Sequence, residues 1–210
     1  MSIFKKSLLL VLILLIIDQA IKIYIKLTFN LEEEIPIFGL SWAKIHFTEN
    51  KGAAFGLLFG GDTGKLILSL FRIVAIIGLI IFLYKISKQK YPKIAIFSIA
   101  LILTGAIGNI LDSAFYGIIF SPSTTHSVAT IFPKDGGYAP FLYGSVVDMF
   151  SFPIKITVPS WFPNWSWWPW RPDFNNKVSL FPYIFNFADA TITIGVALVI
   201  IFKNKFQKTS

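Results

Sequence analysis

The sequence predicts an all-α polytopic membrane protein with four transmembrane helices, both termini cytoplasmic, and a small β-rich element and extended loops on the outer face. Three observations carry this. Of 210 residues, 55% are hydrophobic and only 14% charged, with a mean hydropathy of +0.68, whereas a soluble domain carries about 25% charged residues. The apolar residues fall into four runs, each close to the roughly 20 residues that cross about 30 Å of hydrocarbon as a helix. The basic residues collect beside those runs in three segments free of Asp and Glu.

The first run covers residues 7–27. Lys5 and Lys6 before it resemble the start of a signal peptide. No small-residue cleavage site follows, and Asp18-Gln19-Ala20-Ile21-Lys22 continues the helix, so a retained span is expected. Residues 28–64 form an outer segment with strand-prone pieces such as 43–48 and a turn at Lys51-Gly52. The second run, 65–84, contains Arg72. Residues 85–93 form a short loop with Lys85, Lys88, Lys90 and Lys93. The third run is 94–115, and residues 116–184 return to the outer face. The fourth run is 185–202, followed by Lys203, Lys205 and Lys208. The positive-inside rule puts the lysine-rich segments, and so both termini, in the cytoplasm. All 210 residues then belong to one integral membrane domain.

Composition excludes several chemistries. There is no cysteine, hence no disulfide, thiolate nucleophile or cysteine-based metal site. His46 and His126 match no zinc spacing, so no metal and no cofactor is expected. The net charge of +8 flanks apolar runs and reads as membrane orientation, not as nucleic-acid binding. Residues 159–170 hold five of the six tryptophans, which suits either an interfacial anchor or a lid over a lipid-exposed site.

A charge at membrane depth costs roughly 2.5–3.5 kcal/mol and is usually retained for use. Asp18 and Lys22, spaced i,i+4, share a helix face and form a pair that pins span one or meets substrate. Gly105 and Gly108 allow close helix packing, while Asn109 and Asp112 need polar partners. Asp148 stands among apolar residues in Gly144-Ser145-Val146-Val147-Asp148. The spacing of Asn186 and Asp189, at the start of span four, predicts that both lie on one helix face. Two nearby carboxyls share one proton and can act as general base and general acid on an amide. The same residues also fit a proton relay, a cation site or a small ion-coupled transporter. A Ser145–lysine pair is the enzyme rival, and a scaffold binding lipid-anchored partners is a third class.

Five blocks in order resemble lipoprotein signal peptidase, also called signal peptidase II. They are Asp18-Gln19-x-x-Lys22, Asn50-x-Gly52-Ala53-Ala54-Phe55-Gly56, Gly105-Ala106-Ile107-Gly108-Asn109-x-x-Asp112, Val146-Val147-Asp148 and Phe185-Asn186-x-Ala188-Asp189. The resemblance implies an aspartic endopeptidase of the bacterial cytoplasmic (inner) membrane with its active site near the outer face. Its substrates would be prolipoproteins, cut before a diacylglyceryl-modified cysteine. It implies Asp148 and Asp189 as the catalytic dyad. Asp18, Lys22, Asn50, Gly56, Gly108, Asn109, Asp112, Asn186 and Ala188 would be site-shaping or substrate-binding positions. It further implies inhibition by globomycin, contact with membrane lipid and a monomer. Two departures stand out: Ser113 replaces an arginine common after the aspartate of the third block, and the stretches 112–148 and 148–189 are longer than usual.

Overall fold

The computed structural model describes residues 1–51, 61–89, 91–165 and 168–206. Helix α1 spans Ile3–Thr28, starts under the Ser2 side chain, which accepts the Lys5 amide (3.3 Å), and closes with Lys26 in its last turn. Its buried residues are Ser7, Val11, Asp18, Lys22, Ile25 and Lys26, whereas Leu9, Leu12, Ile13 and Ile16 are exposed. Polar groups inward and apolar groups outward is the pattern of a helix bathed in lipid, where only the protein interior can partner a charge. Helix α2, Gly61–Lys88, is more exposed still, presenting Ile67, Phe71, Val74, Ile77 and Ile81 outward.

Helix α3, Lys93–Leu111, is the central element and packs on α1 and α2. Ile96, Ala100 and Leu103 meet Leu83 and Ile86 of α2 and Val11 of α1 in one apolar cluster. The helix does not stop near residue 115 as the hydropathy pattern suggests. It passes through a π-helical turn, Asp112–Tyr116, into a short helix α4, Gly117–Ile119. Helices α1, α2 and the continuous stretch 93–119 are long and apolar enough to cross a membrane.

The fourth apolar run gives a shorter helix than expected. Helix α5 is Phe187–Ile201, 15 residues, or about 22 Å at 1.5 Å per residue. Its start is fixed by Asn186, which leaves helical geometry to cap it, so Asn186 is not part of the helix face the spacing suggested. Helix α5 packs along α3, and the glycines explain how closely. A Cβ on Gly105 would stand 2.2 Å from the Ala188 carbonyl oxygen, and one on Gly108 would stand 2.6 Å from Asp18 Oδ2.

The strand-prone pieces form an antiparallel sheet in the order β1-β2-β3, with β1 Glu34–Pro36, β2 Lys44–Asn50 and β3 Val146–Ser151. Thr48 lies opposite Asp148, and Asn50 opposite Val146. Alternation along β3 sends Val147 and Met149 into a second apolar cluster with Phe47, Ile25, Phe29, Tyr116 and Phe120, and turns Asp148 the other way. The later outer segment is not pure loop. It contains a two-stranded antiparallel ladder, β4 Lys155–Thr157 with β5 Lys177–Ser179.

Candidate active site

Both long outer segments close on backbone contacts that ignore their length. After the π turn the chain returns alongside it: the Gly144 amide donates to Ser113 O (2.8 Å), and the Val147 amide donates to Asp112 Oδ2 (3.2 Å). A Cβ on Gly144 would lie 2.3 Å from Asp112 O, so this approach requires glycine. The second segment closes between Phe150 and Phe185, which exchange amide–carbonyl bonds of 2.8 and 3.1 Å. Phe150 follows Asp148 by two positions and Phe185 precedes Asn186. One bridge therefore sets Asp148 beside the capped start of α5 and lets residues 151–184 loop out.

Asp189 and Asn186 cap one another. Asn186 Oδ1 accepts the Asp189 amide (2.9 Å), and Asp189 Oδ2 accepts the Asn186 amide (3.3 Å). That leaves Asn186 Nδ2 to donate to Asp148 Oδ1 (2.6 Å) and to Asn109 Oδ1 (3.1 Å). Asn109 Nδ2 in turn donates to Asp189 Oδ1 (2.8 Å). The two aspartates are thus joined by two side-chain amides, every one of whose polar atoms is engaged. Asn50 completes the set with a side-chain hydrogen bond to Asp148.

Behind the amides lies an ionic layer. Lys22 is fully buried, 2.8 Å from Asp112 Oδ2, 3.2 Å from Asp18 Oδ2, and donates to Asn109 Oδ1 (3.1 Å). Asp18 Oδ1 accepts the Ala188 amide at the start of α5 (2.9 Å), which satisfies a donor no helix can satisfy internally. The pair expected from the i,i+4 spacing is therefore present, and it pins α1 to both α3 and α5. Gln19 also holds this layer together. Its Nε2 donates to Asp18 Oδ2 and Asp112 Oδ1 (both 3.0 Å), and its Oε1 accepts from Tyr116 (3.1 Å). The first motif block contains Gln19, but the sequence alone gives it no role, because neither its charge nor its type stands out. Its place between two such carboxylates is a matter of tertiary packing.

The two aspartates differ in environment. Asp148 is buried and Asp189 half-buried. Burial, and then the charge of Asp189, push the Asp148 carboxyl up to about 7 from its ordinary value of 3.8, against the hydrogen bond from Asn186. The Asp148 carboxyl therefore keeps its proton to a higher pH than an ordinary carboxyl, and Asp189 lies on the more accessible side.

Asp18, Lys22, Asn50, Gly108, Asn109, Asp112, Asp148, Asn186, Ala188 and Asp189 all meet in this one network. Gly56, with the rest of the segment 52–60, lies outside the described residues. Ser145 is no nucleophile–lysine pair: among the described residues no lysine bonds its side chain, and its amide donates to Tyr138 Oη (2.7 Å). Among the described residues, a serine that does meet a lysine is Ser123, 3.0 Å from Lys26. Lys26 is also ion-paired with Glu49, so its proton is engaged and it serves as a staple from α1 to β2. Ser113, where an arginine was expected, donates from Oγ to Asn109 O (3.2 Å) within its own helix.

The chain is similar to known proteins. The family model described as signal peptidase (SPase) II matches residues 10–204. A lipoprotein signal peptidase of Porphyromonas gingivalis is 43% identical over 194 residues, covering 91% of this chain and 80% of the relative. One from Amoebophilus asiaticus is 32% identical, covering 91% and 75%. Among solved structures, a bacterial membrane enzyme superposes with a TM-score of 0.58 at 25% identity, covering 97% of this chain and 95% of that one.

Proposed function

Because this chain belongs to the signal peptidase II family, we propose that it is a membrane aspartic endopeptidase that cuts bacterial prolipoproteins before their diacylglyceryl-modified cysteine, with Asp148 and Asp189 as the dyad. The observation that carries this reading is the amide bridge Asp148–Asn186–Asn109–Asp189. It holds two carboxyls from distant chain segments in one half-buried site where a single proton is shared.

The chemistry follows from the asymmetry of the pair. Asp189, ionised and half-exposed, takes a proton from water as the water oxygen bonds to the scissile carbonyl carbon. Asp148, protonated, donates to the carbonyl oxygen, which gives a neutral diol. When the diol collapses, the carbon–nitrogen bond breaks, the nitrogen leaves with the proton held by Asp189, and a diol hydroxyl gives its proton to Asp148, which forms the acid and restores the singly protonated pair. Asn186 and Asn109 orient both carboxylates, and the Lys22 layer holds the asparagines in place. The lipid-facing sides of α1 and α2 leave room for acyl chains to approach from the bilayer without a soluble pocket. The lysines at 5, 6, 85, 88, 93 and 203 support a cytoplasmic end opposite the sheet, and so support the reading that cleavage occurs near the outer face of the inner membrane.

The test is cleavage of a diacylglyceryl-modified prolipoprotein by purified protein in detergent. Wild type should cut and be blocked by globomycin, while Asp148→Asn and Asp189→Asn should be inactive yet folded. Retained cleavage in both variants refutes the dyad.

A further inference from the structure

One charged residue in the membrane-spanning helices is left without a role: Arg72, in the middle of α2. Residues 65, 69 and 72 are spaced i, i+4, i+7 and share one helix face. The first two are fixed by contacts: Lys65 Nζ donates to Tyr143 O (2.6 Å) and Ser69 Oγ to Leu142 O (3.3 Å). Those carbonyls lie on the strand of chain that leads through Gly144 into β3. The same face of α2 therefore turns Arg72 toward the site, half-buried, while its neighbours Phe71 and Val74 are each 68% exposed on the lipid side. Burial acts most strongly on the Arg72 guanidinium, and after it the charges of Asp189, Asp112 and Asp148. Arg72 makes no hydrogen bond or ion pair with any described residue, so its guanidinium stands off from them.

The charges around it call for a cation. The site gathers Asp18 and Lys22 from α1, Asp112 and Tyr116 from the π turn, Asp148 from β3 and Asp189 from α5. The Tyr116 hydroxyl is taken up by Gln19, Glu49 on β2 is neutralised by Lys26, and Tyr138 is engaged with the Ser145 amide. Four carboxyls thus face a single lysine. With one proton on the dyad, three negative charges meet one positive charge, an imbalance that a low-dielectric site does not tolerate well.

We propose that Arg72 is a positioning residue for the dyad, the second cation of the site, which holds Asp148 and Asp189 in their singly protonated form over the working pH range. This rests on the dyad reading. A cation favours the ionised form of a nearby carboxyl, so both macroscopic steps of the pair lie lower with Arg72 present than without it. A structural anchor would not act on these steps.

The experiment is the pH dependence of kcat/KM for prolipoprotein cleavage in detergent. Arg72→Gln should move both limbs of the profile up by about one pH unit, while Arg72→Lys should follow wild type. The absence of cysteine from the chain provides a second route. Arg72→Cys should show the shifted profile, an aminoethyl disulfide adduct should return it to the wild-type position, and a neutral methyl disulfide adduct should not. This comparison within one purified variant remains available if the Gln variant fails to insert. Unmoved limbs in the neutral variants, or equal profiles for the cationic and neutral adducts, overturn the proposal. Asp148→Asn and Asp189→Asn run alongside: cleavage by either refutes the dyad itself, whereas a failure confined to Arg72 leaves the dyad standing.

Discussion

Asp148→Asn should make the protein inactive and more stable, and the gain should grow with pH. In the fold the Asp148 carboxyl is pushed from 3.8 to about 7 by burial and the charge of Asp189. A carboxyl raised in the folded state is penalised only when ionised. The penalty is absent below the unfolded value near 4, increases by about 1.36 kcal/mol per pH unit, and levels off above 7. The raised value thus corresponds to about 1.5 kcal/mol at pH 5 and about 4 kcal/mol at pH 8. Asparagine keeps the size and still accepts from Asn186 Nδ2, so it escapes the penalty at every pH. For a chain of this size 1 kcal/mol moves Tm by about 2–4 °C, so the variant should melt about 8–16 °C above wild type at pH 8 and only a few degrees above it at pH 5. Thermal unfolding in detergent, followed by tryptophan fluorescence from pH 4 to 9, measures this. A gap that does not change with pH, or a wild type that is more stable at pH 8, would show that burial does not hold a proton on Asp148.

Other outcomes follow from the same contacts. Cleavage should decline as pH rises past about 7–8, when Asp148 gives up the shared proton; a rate still climbing at pH 9 would contradict that. Lys22→Met should cost about 3–5 kcal/mol, because it strands the buried carboxylates of Asp18 and Asp112; chemical denaturation in mixed micelles showing under 1 kcal/mol would count against the ionic layer. Gly108→Ala puts a methyl 2.6 Å from Asp18 Oδ2 and 3.0 Å from the Ala188 Cβ, and should destabilise by about 1–3 kcal/mol with loss of activity; a variant with wild-type Tm and turnover would mean that α3 and α5 separate freely. Trp161, Trp165 and Trp170 are exposed, and in liposomes their emission should be blue-shifted and quenched by headgroup-depth quenchers; a water-like maximum untouched by lipid quenchers would remove the segment from the interface.

How far these residues were legible before folding differs from one to the next. The Asp18–Lys22 pair needed only the period of a helix, since both partners lie four residues apart on one chain segment. The strand near 43–48 and the closely packed Gly105 and Gly108 were legible for the same local reason. The start of α5 was not: hydropathy carries the run back to 185, but the capping exchange between Asn186 and Asp189 begins the helix at 187, because a polar side chain that satisfies the first free amides sets the helix boundary regardless of the apolar residue before it. The ladder of β4 with β5 was also missed, as two three-residue strands separated by about twenty residues leave no periodicity to detect.

By itself the sequence determined that the chain lives in a membrane, which runs are apolar, and which few carboxyls, amides and cations interrupt them, since burial in lipid depends on composition over about twenty residues. Only the tertiary structure decided that these groups meet. Phe150 pairs with Phe185 across the long insert, Gln19 spans Asp18 and Asp112, and Asn186 joins Asp148 to Asn109. Each of these joins residues dozens of positions apart or selects one face of a helix. Such contacts are set by the packing of α1, α3 and α5 around Gly105 and Gly108, which no local pattern encodes.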